Sequence, residues 1–199
     1  MWCRDKLVGW KHSTIAYKDR LFRVFGSRFL GLLFITQCLL KGIAMAIATD
    51  GMLPLFKSMG IEATQLQILG ALSMSPWTIK PLFGILSDLV AIDGYHKRYW
   101  MILSGLVGVV GASLLVVEIR VAIALTFFLF MVHSEISICD LLTEGKYAEL
   151  MRENPETGSD IVTLANGFQQ FGAVIAMCFI GPLADLQLFR IPNMVALGK

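Results

Sequence analysis

At 199 residues the chain is 56% hydrophobic and only 16% charged, against roughly 45–50% and about 25% in an ordinary soluble domain. The net charge of +2 is small, and the basic residues flank apolar segments instead of interleaving with aromatics, which argues against a nucleic-acid surface. Cys3, Cys38, Cys139 and Cys178 are widely scattered, so neither a zinc spacing nor a secreted disulfide framework can be read and free thiols are expected.

Residues 1–28 form a basic segment that holds Leu7, Trp10, Ile15, Leu21, Phe22 and Phe25 among Arg4, Lys6, Lys11, Lys18, Arg20, Arg23 and Arg28. It is too polar for the apolar stretch of a cleaved signal peptide and is expected to be retained. Lying on the membrane surface and hanging as a solvated tail are both open to it. Residues 29–199 are expected to form a bundle of about five membrane-crossing helices, since a crossing takes about 20 mostly apolar residues.

The first span is expected over residues 29–49, interrupted by Lys41, and the second over 66–86, with Lys80 before Pro81. The third, 99–117, carries no charge, and the break from Glu118 to Arg120 separates it from the fourth, 121–142. The fifth covers 161–180, and Gly181-Pro182 is expected to end it. These runs are too long for barrel strands and lack sustained alternation, so the fold class is an all-α membrane protein.

Lysine and arginine concentrate before the first span, after the second at Lys97 and Arg98, and after the fourth at Lys146 and Arg152. The opposite set holds Lys57, Arg120 and Arg190. That bias assigns the N-terminus to the cytoplasm.

A charge at the bilayer centre costs on the order of 3 kcal/mol or more, so Lys41, Lys80, Glu135 and Asp140 should face partners or a watery cavity. At about 1.5 Å per residue, Lys41 lies about 12 Å from the outer end of its span, while Lys80 and Glu135 both lie about 21 Å deep. Lys80 is therefore expected either to meet Glu135 in at least one conformation or to snorkel to the cytoplasmic headgroups. Gly42, Ala44, Ala46 and Ala48 make a thin helix that leaves room beside Lys41. Asp140 and Glu144, one turn apart, fit a solvated helix end as well as a site.

Asn166, Gln169 and Gln170 suit hydrogen bonding to a neighbouring helix or to a heteroaromatic solute. Gly105, Gly108 and Gly111 form a small-residue stripe for close helix packing. His133 and Glu135 lack the second histidine of a zinc-protease helix. No nucleophile-base set appears, so no enzyme activity is expected, and no metal or nucleotide cofactor is required by any spacing.

After the second span stand Gly84, Asp88, Gly94, Lys97 and Arg98. They resemble the cytoplasmic loop motif of the major facilitators, G-x-L-A-D-R-x-G-R-R-x, with extra residues between the aspartate and the second glycine. The string Pro76-Trp77-Thr78-Ile79-Lys80-Pro81-Leu82-Phe83-Gly84-Ile85-Leu86-Ser87-Asp88, with Asp140 to Glu149 and Pro155 to Asp160, is similar to the folate-biopterin transporter family, in particular its kinetoplastid-type pteridine and folate carriers. His96 departs from the arginine more usual in that turn, and Asp93 adds an acid.

The resemblance implies two six-helix bundles with solute bound between them, and a plasma-membrane carrier for folate or biopterin-like pteridines driven by protons. Lys41 and Lys80 would attract carboxylates or orient a pterin ring, and Glu135 or Asp140 would carry the coupling proton. Five spans before Lys199 match the N-terminal part of such a carrier, with the lipid bilayer, the solute and a C-terminal half or another subunit as partners. The alternative is a truncated, non-transporting membrane subunit.

Overall fold

The computed structural model describes residue 17 and residues 19–90, 97–117 and 121–185. Among these residues all regular structure is helical, as a bilayer demands of a segment that must satisfy its own backbone hydrogen bonds. Four rods are long and apolar enough to cross a membrane: Ser27–Ser58, Arg98–Val116, Ala122–Glu153 and Pro155–Pro182.

The first rod is composite. α1 (Ser27–Phe34) runs into a π-helical segment (Ile35–Ala44), then α2 (Met45–Asp50) and α3 (Met52–Ser58). It extends the expected first span at both ends.

The second expected span is not one helix but two. α4 (Ala63–Thr78, 16 residues) and α5 (Lys80–Leu89, 10 residues) meet at Ile79, which leaves helical geometry at φ −91° and ψ 4°. Pro81 has no N–H to give the Trp77 carbonyl four residues back, so the ladder fails there. Each half is shorter than the length that crosses a bilayer.

α6 (Arg98–Val116) matches the third expected span. α7 (Ala122–Glu153) starts where the fourth was expected and then runs well past Leu142, because Leu150, Glu144, Lys146, Ala148 and Met151 are all strong helix formers. After a single 3-10 turn (Pro155–Thr157), α8 (Gly158–Asp185) continues through Pro182 instead of stopping at Gly181. One missing donor costs less in a bilayer than releasing the backbone from the helix.

α7 is the central helix. Of its apolar window 56% is buried, against 17% for α6. Leu125, Leu129, Val132 and Ile136 pack with Ala48 and Phe56 of the first rod, and Trp77 borders the same cluster. α6 lies on α7 through Gly108 and Gly111, where a methyl group at Gly108 would overlap the Glu135 side chain and one at Gly111 would come 2.8 Å from Met131 Cβ. Gly105, the third member of the stripe, faces open space.

The thin face around Gly42 leaves no room. A Cβ on Gly42 would sit 2.8 Å from Gly172 Cα, and one on Gly172 would overlap the Cys38 carbonyl. Small residues let α8 close directly onto the π-helical segment, and Ala46 packs with Ala176 and Ile180 below that crossing.

Before α1 the chain is helical over residues 19–25 and turns at Gly26, whose φ of +76° suits glycine. Leu21 and Phe25 pack with Leu30, Leu33, Ile161 and Ala165. Arg20 bonds the Asp160 carboxylate at 2.7 Å, and the Tyr17 hydroxyl donates to the Asp160 carbonyl at 3.2 Å.

Candidate functional site

Where the halves of the second span meet, four ionisable side chains from three helical elements converge. Lys80 is the first residue of α5, and a cation at the positive end of a helix is unfavourable unless anions answer it. Asp140 and Glu144 of α7 answer it at 2.7 and 2.8 Å. Lys41 of the π-helical segment approaches the same two carboxylates, at 3.0 Å from Asp140 and 3.7 Å from Glu144. Two ammonium groups and two carboxylates thus balance one another in the interior of the helical assembly.

Gln37 stands one turn before Lys41 and donates from Nε2 to Asp140 Oδ1 at 2.9 Å, while both lysines share Oδ2. All of Asp140 is therefore engaged, and its side chain is 1% exposed. Trp77 closes the cluster, its ring centroid 5.9 Å from Lys41 Nζ and 5.2 Å from Lys80 Nζ, at distances where an aromatic face attracts a cation. The indole N–H of Trp77 is buried and makes no hydrogen bond among the described residues.

Sequence reasoning and structure diverge in two places. Lys80 does not meet Glu135 in this structure: Glu135 lies on the side of α7 that faces Gly108 of α6, while Asp140 and Glu144 face the lysines. Counting residues along the expected spans puts Lys80 and Glu135 at one depth, but such a count does not give facing direction. Nor does Glu144 stand at a helix end, because α7 continues to Glu153, and it is paired with Lys80 at 2.8 Å while staying about a third exposed.

Gln37 and Trp77 were not singled out as site residues. The signal for each was proximity along its own helix, Gln37 one turn from Lys41 and Trp77 beside the proline that breaks the helix at Lys80.

The other expected residues lie apart from the cluster. Gln169 is half-buried and Gln170 exposed, and neither side chain makes a hydrogen bond among the described residues; the Gln169 carbonyl instead faces Gly42. Glu135 makes no hydrogen bond or ion pair among the described residues. Gly84 packs 3.5 Å from Leu141 when a methyl group is imagined on it, Lys97 Nζ approaches Gly145, and Asp88 is exposed. Arg98 begins α6, whereas Gly94 lies outside the described residues. A separate apolar cavity of about 450 Å³, bordered by Tyr17, Phe22, Phe34 and Phe168, contains none of these groups.

Residues 41–196 match the family described as the BT1 family. The chain is 30% identical over 127 residues to the Arabidopsis thaliana protein named probable folate-biopterin transporter 2, a match covering 63% of this chain and 26% of that protein. It is 29% identical to the probable folate-biopterin transporter 5 of the same plant, over 63% of this chain and 26% of the relative. To the folate-biopterin transporter of Synechocystis sp. it is 26% identical, over 64% and 26%. The aligned part spans about a quarter of the length of these curated relatives. No solved structure matches.

Proposed function

Because this chain belongs to the BT1 family, we propose that it supplies membrane-spanning helices of a carrier moving folate or biopterin-like pteridine solutes in symport with protons. The names of its relatives support the solute class. On the chain itself one observation carries the reading: Lys41, Lys80, Asp140 and Glu144 form a neutralised cluster beside a broken helix. Helix breaks and intramembrane ionisable groups are where carriers place solutes and ions.

In this reading Lys41 and Lys80 attract the solute, by a carboxylate or the polar edge of a pterin ring. Glu135 carries the coupling proton, a role supported by its lack of a cationic neighbour. Asp140 holds the two lysines in place, and Gln169 and Gln170 hydrogen-bond the heterocycle at another stage of the cycle. Gly84, Asp88, Gly94, Lys97 and Arg98 gate the cytoplasmic face. The lysine and arginine bias supports a cytoplasmic N-terminus, and the plasma membrane is the location the carrier reading implies. The rest of a two-bundle carrier, or another subunit, supplies the facing wall.

The test is uptake of labelled folate and biopterin by a full-length relative with methionine at the lysines equivalent to Lys41 and Lys80. Loss of most uptake at normal surface abundance is expected. Undiminished uptake of both solutes would remove the cluster from the pathway.

A further inference from the structure

The two carboxylates of the cluster are not equivalent. Asp140 is 1% exposed and receives three contacts, from Gln37 on one oxygen and from Lys41 and Lys80 on the other. Glu144 is 35% exposed, holds Lys80 at 2.8 Å and reaches Lys41 only at 3.7 Å. Withdrawing Asp140 would strand a buried carboxylate and three donors, which is strongly unfavourable. Glu144 loses one short contact and can turn toward water, where a carboxylate is readily solvated.

We infer that Glu144 is an exchangeable ligand of the lysine pair: a carboxylate of the solute takes its place on Lys80 and Lys41, while Asp140 and Gln37 keep the lysines aligned. Trp77 then lies beside the incoming group and offers its ring to a planar aryl neighbour of that carboxylate. In a solute that carries a carboxylate, the cluster thus reads that end. This deepens the carrier reading and rests on it for the identity of the solute. No covalent step is involved; one carboxylate replaces another and the cluster stays neutral.

The experiment measures calorimetric binding of three probes to the purified chain in phosphatidylcholine nanodiscs. These are p-aminobenzoylglutamate (carboxylates without a pterin), biopterin (a pterin without a carboxylate) and folate. In Glu144→Gln the internal competitor is gone, so p-aminobenzoylglutamate and folate should bind about tenfold tighter while biopterin is unchanged. Asp140→Asn should weaken the two carboxylate probes by tenfold or more. Glu149→Gln makes the same charge change on α7 at a residue paired with Lys146, and should alter nothing, which separates ligand exchange from a general field.

Glu144→Asp, with a shorter reach, should move binding in the same direction as the amide by a smaller factor, and serves if the amide does not reconstitute. Exchange is overturned if the wild type does not bind p-aminobenzoylglutamate, or if Glu144→Gln weakens its binding or leaves it unchanged. If that probe behaves as expected while neither folate nor biopterin binds, exchange stands and the folate-pteridine reading falls.

Discussion

Lys80 and Asp140 are 60 positions apart in the chain, and their side chains meet at 2.7 Å. The contact joins the break in the second span to the central helix, and Lys41 and Gln37 reach the same carboxylate from the first rod. A single aspartate therefore ties the broken second segment to two of the long rods.

Neutralising that aspartate should destabilise the assembly. In Asp140→Asn two lysines retain only the half-exposed Glu144, and removing one partner of a buried ion pair costs about 3–5 kcal/mol. Thermal unfolding in detergent micelles, followed by circular dichroism, should show a clearly lowered midpoint. An unchanged midpoint would mean the lysines reach water without difficulty.

The facing directions along α7 can be read by cross-linking. With the native cysteines replaced, a short bifunctional thiol reagent should join cysteines at positions 80 and 140 and leave an 80–135 pair unlinked. Efficient 80–135 coupling would point to a state in which α7 is rotated relative to α5.

Along α6 the glycines should respond unequally to alanine. Gly105→Ala faces open space and should be neutral or stabilising by up to about 1 kcal/mol, since alanine is the better helix former. Gly108→Ala would overlap Glu135 and should cost about 1–3 kcal/mol through forced repacking. Equal unfolding midpoints for the two variants would contradict the α6–α7 packing.

The crossing of α8 over the π-helical segment predicts a backbone-level clash. In Gly172→Ala the new methyl group would meet the Cys38 carbonyl, which has no flexible end to swing away. The helices must separate, so labelling of Cys38 by a membrane-permeant maleimide, slow in the wild type where it is 1% exposed, should accelerate severalfold. Unaltered labelling would show that the two helices are not held this close.

Restoring the missing donor in Pro81→Ala should let the helix ladder run through Ile79, because the new N–H at 81 can reach the Trp77 carbonyl. Hydrogen exchange should then slow at residues 79–82. Lys80 would lose its place at a helix start, and the 80–140 cross-link should weaken with it. A cross-link of undiminished yield would mean the break does not position Lys80.

Much of the architecture was legible in the order of residues. Sustained apolar runs fix helices because lipid supplies no hydrogen-bond partner to an open backbone, and this held for the first, third, fourth and fifth spans. Their ends were less legible: helix formers carried α7 past Leu142, and α8 passed through Pro182. The unusual cost of Lys41, Lys80 and Asp140 in an apolar setting also marked them without any structure, since charge in lipid needs an explanation wherever it occurs.

What the order of residues could not decide was which acid answers which base. Depth follows from counting along a helix, but facing direction follows from how each rod is turned by its neighbours. Gly108 and Gly111 seat α6 on the side of α7 that carries Glu135, and the Gly42–Gly172 crossing sets the first rod against α8. With those faces occupied, Asp140 and Glu144 are left to the lysines. Side-chain chemistry thus chose the charges and their depth, and only close packing of backbone on backbone chose their partners.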